Sequence, residues 1–421
     1  MDGETGQLVW SEEYSTEYNE RAVAGAVDAE GNLYVIGRAF GTGFYDVIVQ
    51  KYDGDSGFGQ WSQLIASSVM LDDVGWDIDV DSQGRAVVCG LLGTSPADAD
   101  AMVAVLDPVF GETVWQQNLP GAVNNIEVMA GWVAVADNDD IILGTRTWTS
   151  DTGYDVVLTR RAAQDGTEVW SQRWNSGGTG ADDPRAMILS DDGDVLVAGV
   201  SGGDYLVARF DGLTGAHHWD NRYAGPPDWY DVATCLATAP DGTVVASGYS
   251  DGSGTGWDMT TVGFDPTDGS QLWVHRFDGY TLSDETRALA VGPDGDVAVV
   301  GYCYSYDAGN DGVIAYYDAG AATAVEIAPV ASALTRAYPN PFNPSVTVSF
   351  RLAEAGTASL DIVDARGRRV AGLVSGHQTA GDHDVQWHGT DGQGRSLPSG
   401  VYLAVLRTAQ GLSSRKLVLA E

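Results

Sequence analysis

The sequence predicts an all-β protein, a six-bladed β-propeller followed by a small C-terminal β-sandwich. The first of three observations is a tryptophan that ends a Gly-rich turn and recurs at intervals of 51, 54, 55, 49 and 54 residues. The second is that a glycine and an aspartate keep step with it. The third is composition, since 54 glycines and 14 prolines suit a turn-rich β protein. Such a period indicates repeated structural units. The tryptophans are Trp10, Trp61, Trp115, Trp170, Trp219 and Trp273.

Each repeat predicts four short strands, which we call A to D. Strand A runs into an Asp-Gly turn, and strand B ends at a marker glycine. Strand C begins at a marker aspartate and alternates polar with apolar residues, and strand D carries the tryptophan. Four antiparallel strands without a helix are typical of a propeller blade, which buries both faces only between neighbours. The marker glycines are Gly37, Gly90, Gly144, Gly199, Gly248 and Gly301, and the marker aspartates are Asp46, Asp100, Asp155, Asp204, Asp258 and Asp311.

The two ends of the repeat array complement each other. Asp2 lies eight residues before Trp10, as in later repeats, so the N-terminus supplies a strand D with no A, B or C before it. The last repeat has Glu326 where its tryptophan is expected. We therefore expect the N-terminal strand to close the sixth blade, because pairing removes open sheet edges. A segment cut from a larger ring would show the same pattern.

The repeats resemble two known groups of propellers. The stretch from Asp28 to Gly37, followed by Asp46 to Asp53, resembles the bacterial β-propeller repeats known as SBBP. The Thr-Gly-x-x-x-Trp ending at Thr5 to Trp10 is similar to the tryptophan-docking element of quinoprotein propellers. That resemblance implies that the six indoles dock between adjacent blades. The cofactor-stacking tryptophan and vicinal cysteine pair of quinoproteins have no counterpart, so no quinone cofactor is expected.

The C-terminal segment is a second domain. Its alternating stretches, such as Val346 to Phe350 and Tyr402 to Leu406, are divided by Gly and Asn-Pro turns and favour a small antiparallel sandwich. It resembles the Ig-like domain shared by type IX secretion sorting signals and the flagellar hook-capping protein. The matching residues are Pro339, Asn340, Pro341, Phe342, Asn343, Pro344, Asp364, Gly367, Trp387, Gly389, Asp391, Gly394, Gly400, Tyr402 and Lys416.

The second resemblance implies export across an outer membrane, with residues 335–421 read by the secretion machinery or kept as a surface anchor. Some distant relatives are only Ig-like stalks. The expected domains are a propeller at 1–320, a linker at 321–334 and the Ig-like domain at 335–421, in a protein that is secreted or displayed on the outer-membrane surface. No signal peptide follows Met1, so the natural precursor is expected to begin earlier, unless this start is artificial.

Charge and composition exclude several functions. The net charge of −37 opposes binding to nucleic acid or anionic membranes. No apolar run reaches 18 residues, so no transmembrane segment is expected. Cys89, Cys235 and Cys303 share no metal-ligand spacing and are expected to be free, mostly buried thiols. Neighbouring His217 and His218 point to opposite faces of a strand and cannot share a metal.

Two sets of carboxylates are predicted at one rim of the ring. Counting 16 or 17 residues back from each marker glycine reaches an acid at the start of strand A, and the marker aspartates open on the same face. These side chains either accept backbone N–H bonds as repeated staples or, in some pairs, bind calcium, the one cofactor considered. The strand A acids are Glu20, Asp73, Glu127, Asp183, Asp231 and Glu285.

Aromatic residues accompany these acids. Trp148 lies between strands B and C, Trp229 precedes Asp231, and Trp257 precedes Asp258. Their rings either cover the ends of the blade core or bind sugars by stacking, with the carboxylates as hydrogen-bond partners.

These observations lead to three hypotheses of function. The first is an exported, non-enzymatic binding module for a glycan, a protein or calcium. The second is a secreted carbohydrate-active enzyme, a glycosidase or lyase, that uses rim acids such as Asp231 and Asp258, since two suitably spaced carboxylates would suffice. The third is a surface spacer without a ligand. The sequence holds no hydrolase, zinc-protease, P-loop or dinucleotide-binding motif, and the near-equal repeats argue against an active site.

Overall fold

The computed structural model confirms the all-β fold class. Two compact units, Met1–Thr323 and Ala324–Glu421, divide the chain. The structure describes residues 8–14, 18–41, 43–67, 69, 71–95, 98–119, 129–149, 152–177, 180–225, 230–252, 256–279, 283–305, 309–318, 333–338, 340–352, 355–364, 368–379, 381–408 and 411–420.

The first unit is a series of propeller sheets in chain order. Within the described residues there are six, each an antiparallel meander, and the sixth has three strands instead of four. The first sheet is β1 (Arg21–Val27), β2 (Leu33–Phe40), β3 (Tyr45–Tyr52) and β4 (Gly59–Ile65); the second is β5 (Val74–Val80), β6 (Ala86–Ser95), β7 (Asp98–Leu106) and β8 (Thr113–Leu119); the third is β9 (Met129–Val135), β10 (Ile141–Thr149), β11 (Gly153–Arg161) and β12 (Glu168–Trp174). The fourth is β13 (Asp182–Leu189), β14 (Val195–Ser201), β15 (Asp204–Phe210) and β16 (His217–Tyr223); the fifth is β17 (Asp231–Thr238), β18 (Val244–Gly252), β19 (Gly256–Phe264) and β20 (Gln271–Phe277); the sixth is β21 (Asp284–Val291), β22 (Val297–Ser305) and β23 (Gly309–Tyr317).

The marker glycines lie within strand B, which corrects the expectation that strand B ends there. In the fourth sheet Gly199 pairs with Pro184, where strand A carries a β-bulge. The bulge brings the backbone of strand A so close that a Cβ on Gly199 would lie 2.1 Å from the carbonyl oxygen of Asp183. The first, second, fifth and sixth sheets repeat both the bulge and the close approach. Each of these five glycines is therefore needed for space inside its strand.

Neighbouring sheets pack face to face. In β6, Val88 faces the first sheet and Val87 faces the third, so both sides of the second sheet are buried. The two terminal sheets have only one packed face in the part that the structure describes. Val27 is 63% exposed on the first sheet and Ile314 is 78% exposed on the sixth.

The predicted closing strand is only partly described. Residues 1–7 lie outside the described range, and residues 8–14 are not in a strand. Trp10 nevertheless lies against the first sheet, where its Nε1 donates to the carbonyl oxygen of Gly54 at 2.7 Å.

The second unit is a two-sheet sandwich. One sheet has the order β24-β25-β28 and the other β27-β26-β29-β30. Buried Phe342, Trp387 and Tyr402 form the centre of its core, and the Asn340 side chain bonds Lys416 and Val418 on β30. The strands are β24 (Ala333–Tyr338), β25 (Val346–Leu352), β26 (Gly356–Asp364), β27 (Arg369–Gln378), β28 (Gly381–Trp387), β29 (Gly400–Thr408) and β30 (Gly411–Leu419). The strand β24 begins two residues inside the predicted linker, most of which lies outside the described residues.

A search of the described residues finds no helix that is long and apolar enough to cross a membrane.

Candidate functional site

The candidate site is the rim, which we define as the ends of the propeller sheets where strand A starts and strands B and C connect. In the second, fourth, fifth and sixth sheets one carboxylate is held there by a backbone donor from the preceding loop. Asp73 accepts from the Ser67 N–H at 2.6 Å and from the Gly93 N–H at 2.8 Å. Asp231 accepts from the Gly225 N–H at 2.9 Å. Both aspartates are fully buried.

In the fourth and sixth sheets this role belongs to the acid one residue before the predicted one. Asp182 accepts from Ser176 at 2.8 Å, and Asp284 accepts from Gly279 at 2.6 Å. Both lie 17 residues before their marker glycine, as Asp73 and Asp231 do, whereas the predicted Asp183 and Glu285 lie 16 before. Adjacent strand residues point to opposite faces, so a shift of one residue exchanges the two environments.

The two predicted acids of these sheets, Asp183 and Glu285, pair with arginines instead. Asp183 lies 2.6 Å from the Arg146 guanidinium and 2.7 Å from that of Arg185, and Glu285 lies 3.2 Å from Arg287. The remaining two predicted acids differ: Glu20 is half-buried before β1, and Glu127 lies outside the described residues.

Arginine also supplies the positive charge for two of the marker aspartates. Buried Asp155 bonds Arg173 Nε at 2.6 Å and Asn175 Nδ2 at 2.6 Å. Buried Asp258 bonds Arg276 Nη2 at 2.9 Å. Both arginines stand three residues after a docking tryptophan, on strand D. In these two sheets a guanidinium thus bonds the carboxylate that was predicted as a calcium ligand.

The first sheet lacks this arginine. Leu64 stands at the equivalent position. The pKa of the marker aspartate Asp46 is raised, mainly by burial and to a smaller extent by the nearby charge of Asp73. Among the other marker aspartates, Asp100 and Asp204 are half-buried and Asp311 is exposed.

Among the residues that the structure describes, two groups of side chains have oxygen or nitrogen atoms close enough together to share a cation. Their possible ligand atoms lie within 4.8 Å of one another. In each group an arginine already bonds one aspartate: Arg276 bonds Asp258 at 2.9 Å, and Arg209 bonds Asp194 at 2.8 Å. The groups are Asp258 with Asp278 and Asp284, and Asp194 with Asp211 and His218. A cation would compete with the guanidinium in both.

Aromatic rings lie beside the paired charges. Trp148 is 39% exposed and lies across from Tyr154 on the neighbouring strand. Trp257 is half-buried and stacks on Tyr249 with ring centroids 4.7 Å apart. The predicted Trp229 lies outside the described residues.

The repeated tryptophans lie away from the rim, at the turns between strands C and D. Trp10, Trp61, Trp115 and Trp219 each donate from Nε1 to a backbone carbonyl of the next sheet's turn, at 2.7–3.2 Å. Trp170 packs on Gly215 of the next sheet, but its Nε1 has no hydrogen-bond partner among the described residues. Trp273 contacts its own sheet at Gly263 and lies at a tilt against His275. The first five indoles thus join neighbouring sheets and play a structural part.

Sequence reasoning missed one cluster of acids. In β5, Asp77 accepts from the Val133 N–H at 3.0 Å and Asp79 accepts from the Val135 N–H at 2.8 Å. These bonds join the second sheet to strand A of the third. The sequence did carry a signal for this cluster, because only the second repeat has acids at these two positions of strand A.

The acids of the enzymatic hypothesis have little access to a substrate. Asp231 is fully buried, and Asp258 is 6% exposed and paired with Arg276. A carboxylate that attacks a glycosidic bond or donates a proton to it must reach the bond directly.

Comparisons with known proteins identify both units. A sequence profile described as outer membrane protein assembly factor BamB matches residues 99–315, just over half of the chain. A profile described as the FlgD Ig-like domain matches residues 340–411. No curated protein matches the chain.

Several solved structures are similar to this chain at low identity. BamB from Moraxella catarrhalis is 17% identical, covers 79% of this chain and 82% of its own, and has a TM-score of 0.40. PorZ from Porphyromonas gingivalis, described as an essential surface component of the type IX secretion system, is 13% identical, with 94% of this chain and 59% of its own covered and a TM-score of 0.39. Sqt1 from Chaetomium thermophilum is 15% identical, with 96% and 97% covered and a TM-score of 0.47.

Proposed function

The chain belongs to the family of the outer membrane protein assembly factor BamB, and from this premise we propose that its propeller is a non-enzymatic binding module outside the cytoplasm that takes a glycan at the rim. The observation that carries the proposal is the set of exposed rings beside fixed charges. Tyr18 is 55% exposed, Tyr304 41%, and Trp148 and Tyr230 39% each.

Rings and ion pairs of this kind suit a sugar. The apolar face of a sugar stacks on an aromatic ring, and its hydroxyl groups need donors and acceptors held in fixed positions. Asp183 lies between the guanidinium groups of Arg146 and Arg185, and Arg287 is bonded to both Glu285 and Tyr302. Such pairs offer both donors and acceptors with little further loss of side-chain entropy on binding.

A glycan array probed with the full chain tests this proposal. We expect binding to at least one glycan, and we expect Trp148→Ala to weaken it at least tenfold. The matched control is Phe110→Ala, since Phe110 is 72% exposed in a turn between strands C and D, away from the rim. An array without any bound glycan would contradict the proposal, as would equal affinity of the two variants.

We also propose that residues 335–421 are the sorting domain for secretion. The support is the motif that runs from Pro339 to Pro344 and the matching Ig-like profile over 340–411. In the natural host, deletion of 335–421 should leave the propeller inside the outer membrane, whereas the full chain should reach the surface or the medium. Export of the shortened chain at the normal level would refute the sorting role.

A further inference from the structure

Two rim positions differ regularly from sheet to sheet. The first is the residue just before the marker aspartate on strand C. The second lies on strand B, directly across from the residue that follows the marker aspartate on strand C. In the first, third and fifth sheets these positions hold a stacked pair with at least one aromatic ring: Arg38 and Tyr45, Arg146 and Tyr154, and Tyr249 and Trp257. In the second, fourth and sixth sheets they hold Leu91 and Ala99, Val200 and Gly203, and Tyr302 and Asn310. In the sixth sheet the ring of Tyr302 stacks instead with Arg287 of strand A, at 5.0 Å.

The three stacked pairs share one geometry. Arg38 pairs with Val47, Arg146 with Val156 and Tyr249 with Met259, always the residue that follows a marker aspartate. The stacking distances to the ring centroids are 4.7, 4.4 and 4.7 Å. The three pairs therefore share register and stacking distance, with an arginine over a tyrosine in the first and third sheets and a tyrosine on a tryptophan in the fifth.

Each stacked pair has one exposed ring beside it. In the first sheet Tyr18, 55% exposed, stacks on Phe40 at 3.9 Å, and Phe40 meets Tyr45 edge-on at 5.4 Å. In the third sheet the exposed ring is Trp148, which pairs with Tyr154.

In the fifth sheet the exposed ring is Tyr230, whose carbonyl accepts from the Asp251 N–H at 3.3 Å. Asp251 lies across from Trp257. A platform, as we use the word, is one stacked pair together with its exposed ring.

From this alternation we propose that the rim carries three sugar subsites, one on each of the first, third and fifth sheets, which together bind a neutral repeating glycan. The inference rests on the proposed function and adds the number, place and ligand class of the subsites. The apolar face of one sugar ring stacks on each exposed ring. The stacked arginine or tyrosine beside it is the polar group nearest to the sugar hydroxyls.

The charge of the protein disfavours an anionic glycan. A net charge of −37 repels uronate or sulfate groups before they reach the rim. Three weak subsites on one rigid scaffold bind a long chain more tightly than a short one, by about 10²–10⁴-fold where the geometry allows simultaneous contact. The long polymer should therefore bind well even where a trisaccharide binds weakly.

Calorimetric titration of the full chain tests the number of subsites. The probes are cellotriose, laminaritriose, mannotriose and maltotriose. We expect three sites for at least one of them and two sites in each of the variants Tyr18→Ala, Trp148→Ala and Tyr230→Ala. These residues are exposed, and circular dichroism with thermal melting checks that each variant folds. The matched control is Phe110→Ala, an exposed ring in a turn between strands C and D away from the rim, which should keep all three sites.

The outcomes separate this inference from the proposed function. A single site that only one of the three variants abolishes would refute the alternating subsites and leave glycan binding intact. A lower site number in Phe110→Ala would refute them too. If no trisaccharide binds and the polymers cellulose, laminarin, mannan and amylose do not bind either, the inference and the proposed glycan function both fail.

Discussion

The marker glycines show how a single hydrogen atom in place of a methyl group permits the blade geometry. Gly199 has no left-handed backbone that would itself require glycine, and its neighbour is the carbonyl oxygen of Asp183 on the bulged strand. We expect Gly199→Ala to lower the free energy of unfolding by about 2–4 kcal/mol, because the clash is with backbone that cannot turn aside. Denaturant unfolding followed by tryptophan fluorescence measures the change.

Gly312 provides the control for this substitution. It lies on β23, and a Cβ built there has no neighbour within 4 Å. Gly312→Ala should be neutral or slightly stabilising, since it only restricts the unfolded chain. Equal losses for the two substitutions would show that the bulge does not set the requirement for glycine.

The marker aspartate of the first sheet lacks the arginine found in the third and fifth. Leu64 pairs with Ile48 as Arg276 pairs with Thr260, so a guanidinium at Leu64 would face Asp46 in the same register. We expect Leu64→Arg to stabilise the protein by about 0.5–1 kcal/mol. The uncharged control is Leu64→Gln, and a double-mutant cycle with Asp46→Asn isolates the pair. A coupling energy of zero would contradict the assignment.

Single residues also show where sequence reasoning loses resolution. A spacing of 16 or 17 residues was enough to predict a ring of rim acids, but the difference of one residue decides between Asp182 and Asp183. Only the bulge in strand A fixes which of the two enters the junction between sheets. The arginine partners were not predicted, because the partner of an arginine three residues after a tryptophan cannot be assigned until the pairing of strands C and D is known.

Strand A of the second sheet acts as an element that joins two sheets through side chains. Asp77 and Asp79 point the same way and accept the N–H groups of β9, which extends hydrogen bonding across the junction. Burial raises the pKa of Asp77 to about 6 and also raises the pKa of Asp79. The nearby titratable groups are Asp81 and Cys89.

This shift predicts a pH dependence of stability. When a carboxyl has a higher pKa in the folded than in the unfolded protein, its protonated form stabilises the fold. For Asp77 this stabilisation is fully present below about pH 4 and is lost as the pH rises through 6. Asp77→Asn stays neutral throughout. We expect the variant to gain about 1–3 kcal/mol relative to the natural protein between pH 4.5 and 7.5, since one pKa unit corresponds to about 1.4 kcal/mol.

Thermal melts of both proteins across that range provide the measurement. Asp55→Asn, a change at an exposed turn residue, is the control and should run parallel to the natural protein. A constant difference between Asp77→Asn and the natural protein at every pH would show that Asp77 does not titrate in the predicted window.

At the scale of whole elements the sequence was a good guide. The alternation of polar and apolar residues in strand C, the turn residues and the tryptophan period depend on local geometry, and the four-stranded sheets follow from them. The exact end of strand B was missed because the marker glycine resembles a strand terminator. It lies instead opposite a bulge, which is a property of two paired strands.

On the scale of the molecule, the charge is uneven along the chain. Residues 335–421 contain nine Arg or Lys and seven Asp or Glu, so the net charge of −37 belongs to the propeller. The composition predicted the acidity, but the structure shows that the rim carboxylates are largely stapled or paired with arginine. The remaining repulsion is therefore spread over the propeller surface.

Screening of this repulsion should stabilise the propeller more than the sandwich. We expect hydrogen exchange of propeller peptides to slow as NaCl rises from about 20 mM to about 0.5 M, because the Debye length then falls below the spacing of most surface charges. Peptides from residues 335–421 should change little. Because Arg173 and Arg276 already neutralise Asp155 and Asp258, we expect CaCl₂ and MgCl₂ at equal ionic strength to have the same effect. If calcium alone protected rim peptides from exchange, this expectation would be contradicted and the calcium hypothesis restored. Ca²⁺ and Mg²⁺ prefer different numbers of ligands, so only a specific ion site would distinguish the two salts.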